Sequence, residues 1–167
     1  KDILFKQFIG NELTPGQTIT GGQAIKFQIL GQEILAGNNM FTAMGVRIIA
    51  SDGSTVRKVV LAVTRDNLEL RVEADGFQNR QFTATSAVGN YITVAGDHPV
   101  FEVGTGGNPA VGSDHDSDLK FGDNNALDLA EDNTTTSNLN PWIELADTLT
   151  FVTTVPHPGW YGRLGWF

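Results

Sequence analysis

AIKFQIL, residues 24–30, decides the fold class, because Ile25, Phe27 and Ile29 alternate with Lys26 and Gln28. Successive side chains of an extended chain point to opposite faces. This heptapeptide therefore lays one apolar row on a core and one polar row away from it. A helix would scatter the same residues around its axis. The period of two continues on both sides. Upstream, Ile3 to Ile9 mixes branched and aromatic residues, and Pro15-Gly16 turns the chain. Thr18 to Leu30 then reads as a long strand interrupted or bulged at Gly21-Gly22. Downstream, a loop at Ala36 to Asn39 precedes Phe41 to Ala50, with Val46 and Ile48 inward and Arg47 outward. Asp52-Gly53 supplies the left-handed geometry of a hairpin turn, from which Val56 to Val63 returns.

Further strands are predicted at Asn67 to Glu73 and, after the turn Ala74-Asp75-Gly76, at Phe77 to Ala84. Two more, over 90–95 and 99–103, flank Gly96-Asp97, with His98-Pro99 opening the second because proline is tolerated at a strand start. WIELADTLTFV, residues 142–152, closes the series. Ile143, Leu145, Leu149 and Phe151 share a face, and Asp147 interrupts their row, so a bulge is expected near Ala146-Asp147. No window carries a 3.6-residue apolar repeat over three turns, and no longer repeat of fixed period is visible. Eight to ten strands joined by short turns predict an all-β, antiparallel β-sandwich with jelly-roll connectivity, a closed barrel being the competitor. One domain is expected over residues 1–154. Residues 155–167 form an aromatic tail expected to dock on the domain or on a neighbouring subunit.

The 167 residues suffice for a substantial core. A net charge of −8 excludes the basic footprint that nucleic-acid binding requires. That charge is uneven: residues 1–80 sum to +1 and residues 81–167 to −9. The absence of cysteine excludes thiol catalysis, disulfides and thiolate metal sites. No apolar run reaches the length of a membrane span, so no membrane insertion is expected.

Much of the acidity lies in GSDHDSDLKFGDNNALDLAED, residues 112–132, where seven carboxylates face one lysine. Carboxylates so close repel one another, so either a hard cation neutralises them or the loop stays in water. Asp114-x-Asp116-x-Asp118 opens like an EF-hand loop, but Leu119 stands where the glycine belongs and Asn125 where the bidentate glutamate belongs. What remains is a looser calcium candidate built from Asp114, Asp116, Asp118 and Asp123, beside the plain reading of a solvated acidic loop. No cofactor is required. His98, His115 and His157 have no partner at metal-ligand spacing, no G-x-S-x-G elbow exists, and nothing marks a fixed carboxylate pair. The chain is expected not to be an enzyme.

The candidate contact residues, for a ligand or a subunit, are Trp142, Trp160, Tyr161, Trp166 and Phe167. Such rings stack on sugar faces in carbohydrate-binding modules, yet Trp142 opens an apolar strand and reads first as core or rim packing. The tail rings, left free, would be an apolar liability. Asn133-Thr134-Thr135 is formally a glycosylation sequon.

Three segments carry a resemblance: SDGSTVRKVVLAV from Ser51, YITVAGDHPVFEVG from Tyr91, and LKFGDNNALDLAEDNTTTSNLNPWIELADTLTF from Leu119. Their order is the Asp52-Gly53-Ser54 turn with Arg57, then Gly96-Asp97 with Val100, Glu102 and Gly104. Phe121-Gly122-Asp123, Asp128-Leu129, Glu131-Asp132 and Asn140 to Leu145 complete it. Over about two-thirds of its length the chain resembles uncharacterised environmental and phage-like β-proteins of virion surfaces or tails. The resemblance carries no catalytic residue. It implies a non-catalytic structural protein, a viral surface, decoration or fibre-head component located in the virion or outside the cell. Its expected partners are copies of itself, as a homo-oligomer, or other virion proteins. The alternative is a carbohydrate-binding module that meets glycans through exposed aromatic residues, with or without structural calcium.

Overall fold

A computed structural model describes residues 2–107, 116–122 and 126–153. Of the predicted site residues, Asp114, Asp123, Trp160, Tyr161, Trp166 and Phe167 lie outside the described residues. The strands are β1 (Asp2–Ile9), β2 (Thr18–Ile19), β3 (Ala24–Glu33), β4 (Met40–Ile49) and β5 (Val56–Glu69). After a 3-10 turn at Glu73–Asp75 come β6 (Gln78–Thr85), β7 (Tyr91–Ile92), β8 (His98–Gly107), β9 (Ser117–Lys120) and β10 (Trp142–Leu145).

Two antiparallel sheets face each other. Sheet 1 has the order β1-β8-β4-β5 and sheet 2 the order β10-β3-β6, while β2 and β7 form a small ribbon. β3 is long enough to hold two partners in tandem on one edge: Ile25 to Gln28 pair with β10, and Leu30 to Glu33 pair with β9. The expected antiparallel sandwich is therefore what the chain forms. The strand orders establish the antiparallel sandwich and do not by themselves make a jelly roll.

The alternation in AIKFQIL places Ile25, Phe27 and Ile29 in the interior, where they meet Met44, Val46, Ile48, Leu61 and Val103 of sheet 1. Phe27 stands directly opposite Phe82 across the β3–β6 ladder, and Ile143 opposite Phe27 across β10. Burying each such side chain stabilises the fold by roughly 1.5–3 kcal/mol.

Two predicted boundaries are corrected. Val56 to Val63 and Asn67 to Glu73 are not separate strands; a single β5 runs to Glu69. Its fourteen residues fit the ten of β4 because four register shifts take up the excess. The closing strand, read to Val152, ends at Leu145. Asp147 does not bulge in a continuing ladder. Its carboxylate accepts the Thr20 amide at 2.7 Å and the Thr20 hydroxyl at 3.0 Å, which turns the chain away. Beyond it Phe151 bridges Leu13, and Val152 N–H donates to Glu12 at 2.8 Å.

The part of the acidic excursion over residues 126–140 is built into the fold. Residues 126–140 cover the outer face of sheet 2, where Leu129 and Leu30 are buried together with the amides Gln28 and Asn79. Buried amides need partners, and the excursion supplies them. Asn79 Nδ2 donates to the Ala130 carbonyl at 2.8 Å. Gln28, oriented to satisfy its neighbours, donates to Ala130 and Asp132. The same segment closes the edge of β6: Asn79 N–H donates to the Thr135 carbonyl at 2.8 Å and Gln81 N–H to Asn133 Oδ1 at 2.7 Å. The sequon asparagine is thus committed to this edge.

On the side where β5 meets β6, the core holds an ion pair. Arg80 Nη2 lies 3.1 Å from Asp66 Oδ2, with both side chains under a tenth exposed. Asp66 also accepts the amides of Asn67 and Leu68. Removing one partner leaves a buried charge, whereas replacing both with apolar groups does not. Asp66→Ala is expected to lose about 3–5 kcal/mol in urea denaturation, and Asp66→Leu/Arg80→Met to regain most of it.

Candidate assembly surface

The solvent face of sheet 1 has an unusual make-up. Down its middle, Ala43 of β4 stands opposite Gly104 of β8, with Gly45 opposite Glu102 and Phe41 opposite Gly106, so small residues alternate with larger ones and the small ones are buried. Close approach enforces this on β8. A Cβ at Gly104 would overlap the Ile3 carbonyl, and one at Gly106 would overlap the Asp2 carboxylate and Arg65. Apolar side chains rise on either side: Leu4 and Ile9 on β1, and Val56, Val59 and Val63 on β5, all exposed. A shallow depression of about 150 Å³ runs between Leu4 and Val63 over Gly45 and Gly104. Ion pairs mark the face. Arg47 bonds Glu102, which also accepts Gln7 Nε2 at 3.1 Å, and Arg65 Nε lies 2.6 Å from Asp2 Oδ1.

A second apolar feature is the flank between β1 and the β9/β10 edge. A cavity of about 280 Å³ is lined mainly by Phe101, Ile143, Leu145, Leu149 and Phe151. A smaller one of about 60 Å³ adjoins it through the shared Phe101 and Ile143 and reaches Phe8, Phe121 and Trp142. Phe8 and Phe121 meet at 5.8 Å between ring centres, with the Lys6 ammonium 4.7 Å from the Phe121 ring.

Trp142 is half-buried on this flank, and its indole N–H donates to the Leu129 carbonyl at 2.7 Å. It ties the excursion to β10. Asp118 accepts Gln32 Nε2 at 3.2 Å, and the Asp116 carbonyl accepts Asn38 Nδ2 at 3.0 Å and Ile34 N–H at 3.1 Å. Among the described residues no three His, Asp or Glu side chains come together as metal ligands. The small-residue pattern was missed in reading the sequence. Its signal is present as period-two pairs of small residues, Ala43 with Gly45 and Gly104 with Gly106.

Two aspartates use the same local device. Asp52 accepts the Thr55 hydroxyl and the Thr55 and Ser54 amides, which hold its carboxyl far below the usual range. Asp132 does likewise with the Thr135 and Thr134 amides and the Thr135 hydroxyl. Glu33 is the opposite case. It is 3 % exposed, and burial pushes its pKa up, the neighbouring Glu69 carboxyl adding to this while the Met40 amide donates to it at 3.1 Å.

Comparison of the chain with protein-family models, with curated proteins and with solved structures finds no match in any of the three.

The Glu33 carboxyl sets a pH dependence. Its folded pKa lies above the ordinary 4.5, so the stability tied to its protonation is complete below that value. That contribution is lost as pH rises through the folded pKa. Glu33→Gln keeps an acceptor for Met40 and cannot ionise. Urea denaturation is expected to find the variant more stable than the parent at pH 8, with the difference shrinking toward pH 4.

Proposed function

We propose that this chain is a non-catalytic structural protein, a virion surface, decoration or fibre-head component, that assembles as a homo-oligomer through the solvent face of sheet 1. The observation that carries this reading is the exposed apolar set Leu4, Ile9, Val56, Val59 and Val63 on the two edge strands of sheet 1. Exposed apolar side chains on the two edge strands of one sheet face favour protein contact. The two ion pairs bordering the face provide polar groups that fix orientation. The sequence resemblance to phage-like β-proteins supports the virion setting.

Light scattering coupled to size-exclusion chromatography tests the assembly. The parent chain is expected to run at a multiple of 18.0 kDa. Val59→Glu/Val63→Glu, which puts like charges on an exposed strand without touching the core, is expected to fall to the monomer mass with an unchanged β circular-dichroism spectrum. A parent chain that is monomeric up to its solubility limit would sink the proposal.

A further inference from the structure

One end of the core is polar. The row Ile25, Phe27 and Ile29 continues along the same face of β3 to Glu33, and the row Ile48, Val46 and Met44 continues back along β4 to Thr42. Val103 of β8 leads in the same way to Thr105, and Leu119 of β9 to Ser117. Where alternation could set four more apolar side chains between the sheets, it sets one carboxyl and three hydroxyls. All four residues are buried.

They form one cluster. Glu33 stands directly opposite Ser117 across the β3–β9 ladder, and Thr42 directly opposite Thr105 across β4–β8. The Ser117 and Thr105 hydroxyls meet at 2.8 Å and join the two ladders. The Met40 amide, two residues before Thr42, donates to the Glu33 carboxyl at 3.1 Å and joins them again. The Glu69 carboxyl, at the end of β5, adjoins Glu33. Next to Ser117, the Asp116 carbonyl accepts Asn38 Nδ2 at 3.0 Å, which brings the Asn38 amide to the same end.

Two deficits coincide there. Thr42 Oγ1 and Asn38 Oδ1 belong to fully buried residues and have no hydrogen-bond partner among the described residues, although buried polar atoms ordinarily find one. Glu33 and Glu69 set two carboxyls side by side, and no cationic side chain among the described residues acts on Glu33. A water molecule satisfies oxygens but leaves paired carboxyls uncompensated. A hard cation answers both, because it is held by oxygen atoms and carries the opposite charge. Calcium suits the set better than magnesium. It accepts about six to eight oxygens in irregular geometry, whereas magnesium demands a near-ideal octahedron and keeps its own waters.

We propose that the Glu33 end of the core is a calcium site, with Glu33, Glu69, Thr42 Oγ1 and Asn38 Oδ1 as protein ligands and the Thr105–Ser117 hydroxyl pair beside them. The ion fastens the β3–β4 turn and β9 to the end of the sandwich. This site is distinct from the run of aspartates that reads as a cation loop: Asp116 takes part through its carbonyl, and the Asp118 carboxylate accepts Gln32. Two carboxylates set a weak affinity, with Kd on the order of 10⁻⁴–10⁻³ M. The site does not depend on assembly through sheet 1.

Thermal unfolding of the full chain at pH 8, in EDTA or in about 10 mM calcium chloride, tests it. The parent is expected to melt roughly 3–10 °C higher in calcium, since an ion bound only by the folded state stabilises it by mass action. Thr42→Val removes an unpartnered buried hydroxyl, so it is expected to melt at or above the parent in EDTA and to lose the calcium shift. Glu33→Gln is expected to keep its advantage in EDTA and to lose the shift as well. Asp118→Asn is expected to shift as the parent does. A parent whose melting does not respond to calcium would overturn the proposal. So would a shift that Thr42→Val and Glu33→Gln both retain, because the ion would then sit on the aspartates, or an equal shift in magnesium chloride.

Discussion

β3 is buried on both faces, and that constraint shapes the rest of the molecule. One face carries Ile25, Phe27 and Ile29 into the core; the other carries Gln28, with no exposed surface, and Gln32, with almost none. A buried amide without a partner costs about 1–3 kcal/mol, so a strand of this composition cannot simply be roofed by apolar residues. It needs a cover rich in carbonyls and carboxylates. The segment 126–140 is such a cover, and its asparagines and aspartates are there to bond amides. Asn79, Gln28 and Gln81 take their partners from Ala130, Asp132 and Asn133. Lys26 meets Glu131 at 2.8 Å at the margin. Within this segment the carbonyls of Ala130 and Asp132 and the Asn133 side chain line a polar lid on sheet 2, while Asp128 and Glu131 stay exposed.

That division of labour explains the asymmetry between the sheets. Sheet 2 spends its excursion on covering its own outer face and the edge of β6. Sheet 1 has no equivalent cover among the described residues. Its outer face is kept low by glycines that a Cβ would make impossible at Gly104 and Gly106. Apolar side chains rise from its two edge strands. A low face crossed by its own ion pairs and a polar lid are two ways to finish a sheet, and the chain uses one on each side. This is why the contact proposed for assembly belongs to sheet 1.

The strands were legible where alternation was strict and turns were marked by glycine or proline. Ile25, Phe27 and Ile29 face inward as read, and β8 opens at His98 as its proline requires. Legibility failed where a distant partner decided the outcome. Nothing local in TRDN reveals that β5 continues through Asp66, because the reason is Arg80, fourteen residues on. Likewise Asp147 looks like a bulge in a continuing strand until Thr20 is brought beside it. On sheet 1 only small residues at alternate positions were visible. Their meaning depends on β4 and β8 being neighbours, which the sequence order conceals.

The treatment of acidic groups also bears on catalysis. A general acid or base must face a space that a substrate can enter, and its pKa must be tuned near the working pH. Several carboxylates among the described residues are spoken for: Asp52 and Asp132 by amides and hydroxyls of their own turns, Asp66 by Arg80, and Asp147 by Thr20. Asp97, fully buried, takes the Tyr91 hydroxyl at 2.8 Å and the Val94 amide at 2.8 Å, with Arg57 at 3.3 Å. The Tyr91 hydroxyl, pushed up to about 12 by burial and by Asp97, serves as a fixed donor. Glu33, whose pKa is raised, bonds the Met40 amide and lines none of the cavities described above. The cavities that do open are walled chiefly by Phe, Leu, Ile and Val. Among the described residues, then, charge is held by the fold and the openings are lined with hydrocarbon, which is the arrangement the assembly proposed above draws on.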